Sequence, residues 1–307
     1  MHGTNPPIPP ADERRAVVKA VWRTWTCDCE LSVTRPQILG QALSMVQSHM
    51  AQVEVALSKF LPDSEVCRLA QASQPINEIT PLLAEYLRAG LQIAAMTNGK
   101  VDPTVGSAMP AGWRSLELHG TQLTMPPGTL LDLGASAKAY AADYCAAMVA
   151  TEFDADVLLN LGGDVSTASA AGDRSKEIAH GLSDDAAGPS TDIGWQVTVQ
   201  DAPGEPTCQV ELGIQAGLAT SSTLHRYITE ANGAQGPHIV DPLTGLAIHD
   251  TWRTVTVAAD TCSTANGLST AALVARTDAV ELLADAGWPA RLVAQDGTVI
   301  HVAGWPQ

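Results

Sequence analysis

The chain has 307 residues, 45% of them apolar and 16% charged, which fits a soluble globular protein able to bury one large core or two ordinary ones. Its 17 basic residues against 33 acidic ones give a net charge of −16, which argues against nucleic acid or an anionic membrane as a partner, since both are polyanions. With two Phe and four Tyr, the core must be built chiefly from Ala, Leu and Val.

In chain order, residues 1–13 are proline-rich and are expected to be disordered, leaving 14–307 as one domain. The start shows no basic segment followed by an apolar one, and no run of 18 apolar residues occurs. A cytoplasmic protein with no membrane span is therefore expected. The six cysteines show no zinc-like spacing and read as reduced thiols, with Cys27 and Cys29 on one face of a strand. Ala16 to Val33 predicts a strand or hairpin. Pro36 opens a long helix whose stripe runs through Ile38, Ala42, Met45, His49, Val53, Ala56 and Phe60, with His49 read as a packed histidine rather than a ligand. Leu61-Pro62-Asp63-Ser64-Glu65 is a turn and a helix start. A helix over Pro81 to Thr97 closes at Asn98-Gly99. Leu116 to Met125 reads as a hairpin.

Leu130 to Leu133 reads as a buried strand that bends at Gly134 into a helix, with Ser136 as its cap and Ala137, Tyr140, Ala141, Tyr144 and Met148 at helical spacing. Such a helix start offers unpaired N–H groups to a phosphate, flanked here by Asp132 and Lys138. The same pattern also describes an ordinary strand-to-helix turn with a surface lysine. Val157 to Leu161 is a strand ending in Gly162-Gly163-Asp164, and 166–192 reads as a mobile loop rich in Ala, Ser, Asp and Gly. Trp195 to Val199 pairs with Gln209 to Ile214, and Leu218 to Ser222 is a further strand. Thr254 to Ala258 is a strand, 264–275 and 278–286 are helices, the second capped by Thr277, and 291–302 is a closing hairpin around Asp296-Gly297. This order suits antiparallel sheets with packed helices, an α+β fold, better than a βαβ alternation.

Short apolar strands repeatedly run into turns rich in Gly, Asp and Thr: Lys100 to Gly106, Asp132 to Lys138, Asn160 to Asp164 and His238 to Gly245. Asn266 and Thr270 lie four apart, so on a helix both oxygens face one way; with a backbone carbonyl they form a hard-oxygen set suited to Mg²⁺, although Asn266 alone would also suit a helix cap.

Six blocks in one order carry a resemblance: Asp102-Pro103-Thr104-Val105-Gly106, Asp132-Leu133-Gly134 with Ala137-Lys138, Asn160-Leu161-Gly162-Gly163-Asp164, Ala219-Thr220-Ser221, His238-Ile239-Val240-Asp241-Pro242-Leu243-Thr244-Gly245, and Leu268-Ser269-Thr270-Ala271. Together with Pro62-Asp63-Ser64-Glu65 the chain from about Trp22 onward resembles the FAD:protein FMN transferase (ApbE-like) family. The resemblance implies a T-fold-like α+β arrangement and a Mg²⁺-dependent enzyme that takes FAD and moves FMN to a Thr or Ser hydroxyl of a flavoprotein acceptor, releasing AMP. It implies FAD contacts at Ser64, Asp102, Asp132, Lys138 and Thr220. It implies metal contacts at the carbonyl of Ala135 and the side chains of Asn266 and Thr270, and a transfer-assisting histidine at His238, which could instead be a structural partner of the Asp241 turn.

The chain departs from the family pattern in four places. Asn266 stands where the metal aspartate is usual, a lost charge expected to weaken Mg²⁺ binding by roughly an order of magnitude or more. Ala135 and Ala139 replace glycines, and Trp22-Arg23-Thr24 replaces an early Met-Gly-Thr block. The lipoprotein signal common in the family is missing, which again points to the cytoplasm. An active FMN transferase is the first reading; a flavin-nucleotide-binding homologue with lost or altered chemistry is the second.

Overall fold

The structure is a computed structural model, and it describes residues 16–107, 112–169, 194–200, 204, 206–224, 227–229, 235–248 and 251–306. The expected disordered segment 1–13 and nearly all of the expected 166–192 loop lie outside the described residues. The chain begins with a hairpin of β1 (Val18–Thr24) and β2 (Cys27–Val33). Its two turn residues, Trp25 and Thr26, both take positive φ, 48° and 62°, as a two-residue connection between twisted strands demands. Helices α1 (Leu39–Leu57) and α2 (Glu65–Ala70), strand β3 (Ile76–Glu78) and helix α3 (Pro81–Met96) follow, then the β4 (Glu117–His119) and β5 (Gln122–Thr124) hairpin. Next come α4 (Ala137–Phe153), β6 (Val157–Leu161), β7 (Asp164–Ala168), β8 (Trp195–Gln200), β9 (Thr207–Leu212) and β10 (Gly217–Ser222). After a small ribbon of β11 (Tyr227–Thr229) and β12 (Gln235–Pro237), the chain ends with β13 (Trp252–Ala259), α5 (Cys262–Ala275), α6 (Ala279–Ala286), β14 (Ala290–Ala294) and β15 (Val299–Val302).

Eight strands form the central sheet in the order β1-β2-β6-β7-β10-β13-β14-β15, every neighbour antiparallel. The α+β expectation is therefore met. Alternation along the central strands sends residues to two separate cores. Leu159, Leu161, Ala219 and Val257 face the larger core with the helices, and α4 and α5 pack on that face. Leu158, Leu218 and Ala258 face the other side, which the β8–β9 hairpin covers with Trp195, Val199 and Leu212, joined by Trp305. The buried face of α4 is made mostly of alanines, Ala139, Ala141, Ala142, Ala146 and Ala150, with Cys145 and Val149. Small side chains let the helix sit close to the sheet, which is how a core short of aromatics fills its volume.

His49 is a core residue, as the pattern predicted: its Nε2 lies 2.8 Å from the Tyr86 hydroxyl, its ring stacks on Tyr144 at 4.3 Å, and burial holds its imidazole below the usual pKa.

Several local expectations are corrected. Residues 130–133 are buried at Leu131 and Leu133 but form no strand; they run as a connector that bonds to the loop 102–106. Ser136 stands at the N-cap of α4, but its hydroxyl makes no cap bond and donates to the Leu133 carbonyl instead. Phe60 lies beyond the end of α1 and is 83% exposed, so the apolar stripe stops at Leu57. Asp164 to Ala168, the last part of it expected to be loop, is strand β7, and Asp278 rather than Thr277 stands at the N-cap of α6.

One close approach sets the height of α5 on the sheet. A Cβ at Gly217, the first residue of β10, would collide with the Thr261 and Cys262 backbone at the start of α5. Gly217→Ala is therefore expected to destabilise the fold by about 1–3 kcal/mol through enforced backbone displacement. Urea denaturation followed by circular dichroism measures it, and an unchanged midpoint would show that the approach is not tight.

Candidate functional site

The connector 130–136 meets the loop 102–106. The Asp132 N–H donates to the Pro103 carbonyl at 2.8 Å, and a Cβ on Gly106 would lie 2.8 Å from the Leu130 carbonyl, so the 102–106 loop lies directly against the connector. The Asp132 side chain is turned the other way. Its Oδ1 accepts the Gly134 N–H at 2.9 Å and its Oδ2 pairs with Lys59 at 2.5 Å, which brings in the α1–α2 loop. Nearby in sequence, Ser64 is buried as the N-cap of α2, accepting the Cys67 N–H at 3.2 Å. Asp102 is also buried and its oxygens serve its own loop: Oδ1 accepts the N–H and hydroxyl of Thr104 at 2.8 and 2.7 Å, and Oδ2 accepts the Trp113 N–H at 2.9 Å. Ser64 and Asp102 thus shape loops around the connector, and in this structure their side chains are occupied in doing so.

Beyond the connector, α4 opens with Tyr140 N–H donating to Ser136 O, just after the Ala135 carbonyl. In its first turn, Lys138 reaches the tight turn between β6 and β7. Its Nζ donates to the Leu161 carbonyl at 3.1 Å and the Gly162 carbonyl at 3.4 Å, and it lies 2.7 Å from Asp164 Oδ2, a contact that is Coulombic rather than an aligned hydrogen bond. The Asp164 side chain is only 2% exposed. Its other oxygen, Oδ1, accepts from Asn266 Nδ2 of α5 at 3.1 Å. A continuous polar chain, Lys138–Asp164–Asn266, therefore crosses from α4 over the sheet to α5. Gly162 and Gly163 make its turn at φ 63° and 91°, conformations that side-chain-bearing residues rarely take.

Asn266 is not a helix cap. Thr261 fills that place by accepting the Thr264 N–H at 3.1 Å, and Asn266 lies inside the helix with Thr270 one turn on. The Thr270 hydroxyl lies 2.8 Å from Ser221 Oγ, which also lies 2.8 Å from Ser269 Oγ. Thr220 sits beside them on β10, its N–H donating to the Gly163 carbonyl at 3.3 Å and its hydroxyl 2.9 Å from that of Thr256. The two helices are locked together by Asp143 of α4. Its carboxylate accepts the N–H groups of Cys262 and Ser263 at 2.8 and 2.9 Å, and the hydroxyls of Ser263 and Ser166 at 2.7 and 2.8 Å. Burial raises the Asp143 carboxyl above its ordinary pKa even against these stabilising bonds.

His238 follows β12. It is exposed, at the base of a loop closed by the Val240–Ala247 bridge and by the Gly245 N–H donating to the Asp241 carbonyl at 2.7 Å. Buried Ile239 and Ile248 root the loop in the main core, while Leu243 at its tip is 95% exposed.

The donor set suits a hard cation. Among the described residues no group of three His, Cys, Asp or Glu could hold a metal ion, which leaves neutral oxygens as the candidates. Asn266 Oδ1 is buried with no hydrogen-bond partner. Such an atom is costly unless something accepts its lone pairs, and a hard cation would. A cavity of about 490 Å³ lies elsewhere, lined by Glu85, Arg88 and Tyr140; Tyr140 is two residues past Lys138 and so faces away from it.

Asp164, the centre of the chain, was visible in the Gly162-Gly163-Asp164 turn but carried no role by pattern alone. Ser221 was visible only as part of the Ala219-Thr220-Ser221 block, and Lys59 and Asp143 carried no role in the sequence, because each acts through a partner far along the chain.

The model of the ApbE family matches residues 25–113 and 107–292. An FAD:protein FMN transferase of Vibrio cholerae is 25% identical over 256 residues, 73% of this chain and 70% of the relative. Two solved structures share the fold. The apo form of the Pseudomonas stutzeri flavinyl transferase ApbE matches with a TM-score of 0.73 at 20% identity, covering 93% of this chain and 94% of that one. The ApbE protein of Thermotoga maritima matches with a TM-score of 0.74 at 21% identity, covering 93% and 97%.

The Lys138–Asp164 pair yields a prediction. Lys138→Met strands a buried carboxylate and should cost about 3–5 kcal/mol, whereas adding Asp164→Asn should recover part of that loss. A double-mutant cycle in urea measures the coupling; additive losses would contradict a direct pair.

Proposed function

The chain belongs to the ApbE family, and on that footing we propose that it is an FAD:protein FMN transferase, which moves FMN from FAD to a Thr or Ser hydroxyl of an acceptor flavoprotein with release of AMP. The observation that carries the reading is the Lys138–Asp164–Asn266 chain, which joins the start of α4 to α5 and leaves the buried Asn266 oxygen without a partner. Transfer at phosphorus asks for alignment and charge neutralisation more than for covalent chemistry by the protein. An ammonium and the start of a helix beside hard oxygen donors provide both.

Mg²⁺ suits the donors, which would be the Ala135 carbonyl, Asn266 Oδ1 and Thr270 Oγ1. When bound it would supply charge neutralisation at the diphosphate. Lys138 would hold the phosphate next to it. Ser64, Asp102, Asp132 and Thr220 would border the FAD cleft, the first two by fixing its loops. His238 would accept the proton of the acceptor hydroxyl as its oxygen bonds to the FMN phosphorus and the phosphorus–oxygen bond to AMP breaks. Its exposure suits a group that must meet a second protein.

The second reading, a flavin-nucleotide binder without transfer, is favoured by the neutral Asn266 and by the engagement of Lys138 with Asp164. One experiment separates the two. FAD at a hundredfold excess over its Kd should stabilise the protein by about 2.7 kcal/mol, with a further rise in Tm on adding Mg²⁺. Incubation with an acceptor flavoprotein should then release AMP and leave protein-bound flavin fluorescence. Stabilisation without AMP selects the second reading; no stabilisation by FAD contradicts both.

A further inference from the structure

The amide of Asn266 has a determined orientation. Asp164 is a carboxylate and accepts only, so the group 3.1 Å from its Oδ1 must be the amide nitrogen. The amide oxygen then points away from Asp164, and it is the atom left buried without a partner. The carboxylate thus aims the Asn266 oxygen and also polarises it, since a hydrogen bond from the amide nitrogen to a negative charge places more electron density on the carbonyl end. Lys138 lies on the other oxygen of the same carboxylate at 2.7 Å. As arranged, the two charges cancel, and a divalent cation approaching Asn266 meets a carboxylate already neutralised by an ammonium.

We propose that Asp164 is the positioning residue of the cation site, supplying through the Asn266 amide the negative charge that residue 266 lacks, and that Lys138 couples this site to the diphosphate by sharing itself between Asp164 and phosphate. The proposal rests on the reading that a diphosphate binds beside Lys138. The Lys138 ammonium sits on a flexible stem and is a point charge with three donors, so it can turn towards a phosphate while keeping part of its contact with the Leu161 and Gly162 carbonyls. Each increment of its charge drawn to phosphate is an increment of Asp164 charge released to the Asn266 amide. Diphosphate and cation then bind with positive coupling, and the coupling is reciprocal.

The test uses Mn²⁺ as the probe, its binding followed by electron paramagnetic resonance on the full chain, with and without FAD. FAD binding is measured separately by thermal shift. Wild type should bind Mn²⁺ at least tenfold more tightly with FAD than without. Asp164→Asn should lose at least tenfold in Mn²⁺ affinity with FAD present, and Asp164→Asn combined with Asn266→Asp should regain it, a rescue that a merely structural Asp164 would not allow. Asn266→Asp alone places two carboxylates together, so it should lower the Tm of the free protein and show a larger Tm gain from Mn²⁺ than wild type. This variant keeps the test decisive if Asp164→Asn does not fold. Equal Mn²⁺ affinity in wild type and Asp164→Asn, no rescue in the double variant, or a Tm gain in Asn266→Asp no larger than in wild type would overturn the proposal. If FAD binds in that event, only the coupling is wrong; if FAD does not bind wild type at all, the transferase reading falls with it.

Discussion

A carboxylate removed from water must be answered by a positive charge or by donors, and Asp164 is answered by both from two different helices: the Lys138 ammonium of α4 and the Asn266 amide of α5. The remaining architecture of the site follows from satisfying that one group. Lys138 can reach it only because the β6–β7 turn folds back through two glycines in left-handed conformations. Asn266 can reach it only because α5 is set down on the sheet where Gly217 permits close approach, and because Asp143 ties the first turn of α5 to α4. The pair is partly buried rather than sealed, with the Lys138 side chain 18% exposed. It is therefore held firmly enough to define geometry while its cationic end stays within reach of a ligand.

The antiparallel sheet explains why chemistry gathers here. β6, β7 and β10 are neighbours, so their turns and termini bring Gly162, Asp164, Thr220 and Ser221 together although these residues are up to about sixty positions apart. The helices fill one face of the sheet; α4 starts at the β6–β7 turn, while α5 starts beside Gly217 and runs so that Asn266 and Thr270 reach Asp164 and Ser221. Loops held by such a frame can carry polar groups in fixed directions without each loop having to be stable alone. The exposed His238 loop is built on a different principle: its flanks are rooted in the core by Ile239 and Ile248, while its tip offers Leu243 to the outside.

Much of this was legible in the sequence. The β1–β2, β4–β5 and β14–β15 hairpins, the long helices and the α+β class followed from period and turn chemistry, which are local properties. The facing of Asn266 and Thr270 followed from a spacing of four. The site's connections did not follow, because they are long-range. Nothing within reach of Asp143 in sequence announces that it caps a helix 119 residues later, and Lys59 gives no hint of Asp132. Ser136 shows the reverse failure: a residue with the right type for a cap was drawn instead to the Leu133 carbonyl by the shape of the connector. The stretch 130–133 misled for a related reason, since an apolar run marks burial without saying whether a strand lies alongside.

The most direct test of the account is a crystal of the protein soaked with FAD and Mn²⁺, with the metal located by its anomalous signal. The account predicts a peak within bonding distance of the Ala135 carbonyl, Asn266 Oδ1 and Thr270 Oγ1, with the FAD diphosphate beside it and Lys138 turned from Asp164 towards phosphate. A peak away from those oxygens, or FAD seated elsewhere with Lys138 still fully on Asp164, would contradict it.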